Sequence, residues 1–171
     1  YEYSWRRQNW FDYSAAEHMA VRQKVGMFDM SSFGKIKLIG RDAEAVLQII
    51  AANDVAVPVG KIVYTQFLND DGHIEADVTV TRLGLEEFLI VTPAATIRRD
   101  LHWINGHIPD HAHAIAIDVT GSESVLVVMG PEARSFLQPM TPQSLANDDF
   151  AFGTMQQIEI GHAVARAHRV T

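Results

Sequence analysis

Between positions 64 and 83 apolar and polar side chains alternate with a period of two, on either side of a short polar break at residues 69–72. That is the pattern of two strands joined by a tight turn. On the second run Ile74, Ala76, Val78 and Val80 share one face, and Glu75, Asp77, Thr79 and Thr81 share the other. A carboxylate in mid-strand costs stability when half-buried, because its charge must be solvated or paired. Glu75 and Asp77 therefore face solvent or a ligand pocket, and alternation alone leaves both open.

The same reading organises the rest of the chain. Ser14 and Glu17 form a capping-box pattern, which predicts a helix over 14–25 ended by Gly26. Ile36 and Leu38 alternate with Lys35 and Lys37, predicting a strand with one wet face. Asp42 is placed to cap a second helix whose apolar side is Val46, Leu47, Ile49 and Ile50. A strand is predicted over 88–91. A helix follows it from Pro93 or Ala94, with Ile97, Leu101 and Ile104 as its stripe and Asn105-Gly106 as its stop. Strands are predicted over 114–118 and 125–129, a short helix opening at Gly130-Pro131, another at Thr141-Pro142, and a hairpin around Gly161.

Strand pairs interleaved with single helices predict an α+β fold with mainly antiparallel sheets. Punctuation at Pro58 and Pro109 divides the chain into a lobe over 55–112, carrying the 64–83 hairpin, and a lobe built from 1–54 plus 113–171.

Composition narrows the function classes. The 171 residues carry 14 Lys and Arg against 21 Asp and Glu, a net charge of −7. Phosphate neutralisation wants clustered cations, so no nucleic-acid partner is expected. The absence of cysteine excludes disulfides, thiolate metal sites and cysteine nucleophiles. No run reaches the ~18 apolar residues of a membrane span, so no membrane partner is expected. Of the eight histidines, His102, His107, His111 and His113 cluster in sequence, but only Asp110 stands near them. A metal site wants converging ligands and an ordered second shell, so these read as exposed loop histidines and no metal is expected. Neither a Gly-x-Gly-x-x-Gly fingerprint nor a P-loop occurs.

The hairpin also carries a resemblance. Tyr64-Thr65, Leu68-Asn69, Gly72, and the run Ile74-Glu75-Ala76-Asp77-Val78-Thr79-Val80 with Arg82-Leu83 resemble the central motif of the glycine-cleavage T-protein (aminomethyltransferase) family. Asn9-Trp10-Phe11, Glu17-His18, Ala20-Val21-Arg22 and the stretch from Val25 to Lys35 resemble the entry segment of the folate domain in dimethylglycine and sarcosine dehydrogenases. Met129-Gly130-Pro131-Glu132-Ala133 resembles the family's later turn into a helix. The carboxy-terminal 167–171 resembles an Arg-x-Thr/Ser segment that precedes a Tyr-x-Gly-Glu motif in the family, so the chain is expected to be a fragment cut inside the folate domain.

The resemblance implies a T-protein-like folate-binding fold in part, tetrahydrofolate as cofactor, and one-carbon transfer. It implies Asp77 as the catalytic carboxylate, stabilising an iminium or taking a proton from the attacking folate nitrogen. It implies Tyr64, the Leu68 backbone and Asn69 along the pterin pocket, with Thr92 as a further folate contact. Two departures stand out: His73 where many T-proteins have a second glycine, and Thr92-Pro93 where an Asn usually meets the pterin. Asn9-Trp10-Phe11 and Glu75-Ala76-Asp77 favour the branch of FAD-dependent dimethylglycine- or sarcosine-like enzymes. In that branch FAD lies in an upstream flavin domain of the same chain and the one-carbon unit comes from a methylamine-derived substrate. The alternatives are a stand-alone aminomethyltransferase and a non-catalytic folate-binding module. The expected compartment is the bacterial cytoplasm, or the mitochondrial matrix in a eukaryote.

Overall fold

The computed structural model describes residues 1–170; Thr171 of the carboxy-terminal Arg-x-Thr segment lies outside them. Four helices and nine strands follow one another among the described residues: α1 (Phe11–Gln23), β1 (Gly26–Asp29), β2 (Gly34–Ile39), α2 (Ala43–Ile50), β3 (Ile62–Leu68), β4 (Ile74–Gly84), β5 (Glu87–Thr92), α3 (Ile97–Gly106), β6 (Ile115–Asp118), β7 (Leu126–Met129), α4 (Ala133–Leu137), β8 (Thr154–Ile160) and β9 (Ala163–Arg169). The fold is α+β, and every strand pairing is antiparallel.

The central sheet has the order β3-β4-β5-β2-β6. One of its faces is apolar because alternate residues supply it: Phe67 from β3, Ala76, Val78 and Val80 from β4, Phe88 and Ile90 from β5, Ile36 and Leu38 from β2. Against that face pack Val46, Leu47 and Ile50 of α2 and Ile104 of α3, all buried. Burying a side chain of this size contributes about 1.5–3 kcal/mol each, so this layer carries most of the apolar stabilisation. β2 and β6 fall in the segments 1–54 and 113–171, yet they hydrogen-bond into the same sheet as the strands of 55–112.

Two smaller units flank the sheet. β1 pairs with β7 beside α1 and α4, and the backbone N–H of Glu132 donates to the Lys24 carbonyl at 3.0 Å. The β8–β9 hairpin has its own apolar cluster of Leu145, Phe150 and Ile158. It joins the sheet edge where Ile62 N–H donates to the Gly153 carbonyl at 2.9 Å, and through the ion pair of Arg166 with Glu123.

Several local expectations are corrected. Helix α1 begins at Phe11, not Ser14, and its N-cap Trp10 makes no side-chain bond. The Ser14 N–H already donates to the Trp10 carbonyl, so Ser14 is inside the helix and its capping box is unused. The chain leaves the helix at Lys24, and Gly26 starts β1 instead of ending α1. Lys35 is not on a wet face: it is 1% exposed, and its Nζ donates to the Ser31 carbonyl at 2.8 Å, because the loop through Ser31 folds back over β2. Asp42 sits at the N-cap of α2, but its carboxylate accepts the His113 backbone N–H at 2.7 Å rather than capping the helix. Ile49 and Ile74 are exposed, off the apolar face assigned to them. Pro131 precedes α4, whose N-cap is Glu132. No helix starts at Thr141, where the Gln138 side chain donates to the Gln143 carbonyl and accepts from Leu145 N–H, satisfying the backbone in an irregular path.

Candidate functional site

The β3–β4 hairpin is built around Asn69. Its Oδ1 accepts the backbone N–H groups of Asp71 (3.1 Å) and His73 (2.9 Å), the local bonding that makes Asn a turn residue. Gly72 adopts φ 78°, which a side chain would resist. Beyond the turn the pairing is irregular: Leu68 faces Ile74, but Phe67 faces Ala76, so Glu75 is an extra residue without a cross-strand partner. Such a bulge bends and twists its strand and re-aims the side chains beside it. Glu75 is held at both ends. Asn69 Nδ2 donates to its Oε1 at 2.8 Å, and the Arg99 guanidinium of α3 donates to its carbonyl.

Two residues after the bulge comes Asp77. Its neighbours Ala76 and Val78 are buried in the core, which turns Asp77 to the opposite face of the sheet, where it is exposed. Gln66 lies directly across on β3 and donates from Nε2 to Asp77 Oδ1 at 3.1 Å. The Tyr64 hydroxyl donates to Oδ2 at 2.9 Å. Each oxygen thus has one donor from β3 and keeps lone pairs toward the open side. Among the described residues no cation makes an ion pair with Asp77. The Tyr64 hydroxyl is pushed above the ordinary phenol value, first by its hydrogen bond to the Asp77 carboxylate, and so remains a proton donor. Tyr64 as a whole is 60% exposed beside the carboxylate.

The structure brings Tyr64 and Asp77 into contact and sets Leu68 and Asn69 along the same hairpin, toward its turn. Asn69 has both side-chain atoms engaged in the turn and the bulge. Thr92 is not brought to this group. It lies on the core face, 2% exposed, and its hydroxyl donates to the buried carboxylate of Asp100, which also accepts from Thr96 at 2.6 Å and from Arg99 at 3.2 Å. Sequence reasoning missed Gln66 and the Asp100–Arg99 pair. Gln66 shares strand parity with Tyr64, the one signal that pointed to it. Of the clustered histidines, His102 lies within α3, and His107 is half-buried, its ring 4.3 Å from that of Trp103 and its Nδ1–H donating to the Trp103 carbonyl.

A cleft of about 460 Å³ lies elsewhere, between α1 and the β1–β7 pair, lined by Ser14, Glu17, His18, Arg22, Phe28 and Pro131 among others. None of its lining residues belongs to the hairpin, and its walls offer no oriented carboxylate comparable to Asp77. The candidate site is therefore the open face around Asp77, where chemistry rather than concavity is concentrated.

Comparison with known proteins agrees in family. The chain is 39% identical over 171 residues to the 4-methylaminobutanoate oxidase (formaldehyde-forming) of Paenarthrobacter nicotinovorans, covering all of this chain and 21% of that protein. It is 34% identical over 172 residues to the mitochondrial dimethylglycine dehydrogenase of Mus musculus, again over its full length and 20% of the relative. It spans about a fifth of the length of these curated relatives. The glycine cleavage system aminomethyltransferase T of Bartonella henselae shares the fold, with a TM-score of 0.72 at 23% identity over 82% of this chain and 37% of that one. The GCVT N-terminal domain family matches residues 1–171 throughout. The chain belongs to that family, as a T-protein (aminomethyltransferase)-like folate-binding domain homologous to the folate domains of dimethylglycine and sarcosine dehydrogenases.

Proposed function

We propose that this domain captures the carbon of an oxidised N-methyl amine on tetrahydrofolate, giving methylenetetrahydrofolate, as one part of a longer FAD-dependent amine dehydrogenase or oxidase. The observation that carries the reading is Asp77, an exposed mid-strand carboxylate with each oxygen oriented by its own donor and, among the described residues, no cation in an ion pair with it. The residues around it suit a pterin. Ring N–H groups want acceptors, which Asp77 offers, and ring faces want aromatic surface, which the exposed Tyr64 offers. The names of the relatives support a methylamine-derived carbon: one is a formaldehyde-forming oxidase of a methylamino acid, another a dimethylglycine dehydrogenase.

Tetrahydrofolate supplies the amine nitrogens that take up the carbon. Asp77 places negative charge where the oxidised carbon–nitrogen group carries positive charge; its free lone pairs accept one of the two protons that the attacking nitrogens lose, and the other goes to the demethylated amine, which leaves as its bond to the transferred carbon breaks. Tyr64 stays protonated and donates to Oδ2. The flavin is assigned to a part of the longer protein outside these residues.

Asp77→Asn in the full-length protein keeps size and removes charge and basicity. Folate-coupled methylenetetrahydrofolate formation should fall about a hundredfold or more, while reduction of the flavin by the amine stays within about twofold. Stopped-flow flavin bleaching and product assay with tetrahydrofolate separate the two. Undiminished folate-coupled turnover in this variant rules the assignment out.

A further inference from the structure

We propose that Gln66 is a positioning residue for the Asp77 carboxylate, an inference that rests on the reading of Asp77 as the reacting group. Gln66 and Asp77 face one another across the β3–β4 ladder, and Gln66 Nε2 donates to Oδ1 at 3.1 Å while the Tyr64 hydroxyl holds Oδ2 at 2.9 Å. An Asp χ2 torsion has only broad, shallow preferences, so a carboxylate held through one oxygen still swings about its Cβ–Cγ bond. Donors on both oxygens fix its plane. The base on which Gln66 stands is rigid: Thr65 and Phe67 on either side are fully buried, and the Gln66 carbonyl accepts the Ala52 N–H at 2.8 Å.

The chemistry of the donor matters as much as its position. Gln66 is neutral, so it orients Asp77 without cancelling the charge that a positive centre needs. The nearby cation, Arg99, is directed to the Glu75 carbonyl and to Asp100 instead. An exposed bond between a neutral amide and a carboxylate adds little to stability, so its value lies in the orientation it imposes.

The test uses the full-length protein with Gln66→Leu, Gln66→Lys and Asp77→Asn, singly and with Gln66→Leu combined with Asp77→Asn. Gln66→Leu should lower kcat for methylenetetrahydrofolate formation about tenfold, the scale of a lost positioning contact, with KM for tetrahydrofolate within about twofold. Gln66→Lys should impair turnover at least as much, because it restores a donor but pairs off the charge. Gln66→Leu should cost nothing further in the Asp77→Asn background, a non-additivity that a merely structural role would not produce. Full kcat in Gln66→Leu beside an impaired Asp77→Asn overturns the positioning role alone. An unimpaired Asp77→Asn overturns both readings together. A crystal structure of the full-length protein with Gln66 turned away from Asp77, with or without tetrahydrofolate, overturns the positioning role whatever the kinetics.

Discussion

Lys35 is among the largest side chains in the fully buried core, and its alternation with Ile36 gave no hint of this. Period-two patterning predicts which face a strand residue takes but not what later covers that face. Here the loop through Ser31 covers it, and the Thr120 hydroxyl accepts the Lys35 backbone N–H at 3.0 Å. Asp29 and Asp118 add a favourable field from nearby. Removing the whole side chain leaves a cavity and an unsatisfied Ser31 carbonyl. Lys35→Ala should therefore cost about 2–4 kcal/mol in equilibrium urea unfolding. Lys35→Met keeps the volume and should cost clearly less than Lys35→Ala. Equal losses would mean that the ammonium, not the packing, decides. Asp77 was the opposite case: alternation placed it on the open face, and that is where it lies, because Ala76 and Val78 on either side are core.

At the scale of the element, the hairpin was legible and its register was not. A simple count back from a turn over 69–72 pairs Asn69 with Gly72 and so sets Tyr64 opposite Asp77. Two irregularities intervene. The turn closes one residue wider, with Asn69 N–H donating to the His73 carbonyl, and the bulge at Glu75 adds one more. Together they bring Gln66 opposite Asp77 and leave Tyr64 to reach it diagonally. Bulges follow from tertiary demands on a strand, here the Arg99 bond to the Glu75 carbonyl, and periodicity does not encode them. Asn69 is the residue on which this register depends. Asn69→Ala strips two backbone N–H groups of their acceptor and should destabilise the protein by about 1–2 kcal/mol. Asn69→Asp keeps the acceptors and should preserve the turn, while losing the donor to Glu75. Chemical denaturation of the two variants side by side distinguishes the turn from the bulge contact.

For the molecule as a whole, acid should destabilise in two stages. His168 is depressed below the ordinary histidine value chiefly by burial; its Nδ1 lies 3.3 Å from the Arg166 carbonyl, and its buried Nε2 has no hydrogen-bond partner among the described residues. The unfolded chain binds that proton more readily, so this stability is present above about pH 6.5 and is lost as pH falls through the folded value. Asp29, Asp54 and Asp118 are held below the carboxylate range, by Ser31, Ala56 and Thr120 respectively. Asp42 is held there by the His113 backbone N–H. Their contribution is present above about pH 4 and disappears as pH falls through their folded values. Melting temperature should thus decline first below neutrality and again below about pH 4, and His168→Gln should flatten only the upper decline. A retained upper decline in that variant assigns it to another group. Alternation and resemblance anticipated the α+β class and the hairpin but not the insertion of β2 between β5 and β6, since long-range strand order is set by packing of whole faces and not by local pattern. That insertion has a kinetic side. During synthesis β2 emerges before either of its neighbours and must wait with both edges unpaired, whereas β3, β4 and β5 form a meander of sequential strands that closes locally. The hairpin bearing Asp77 is thereby able to pair from neighbouring segments alone, whereas capture of β2 requires closure over the longer separations to β5 and β6.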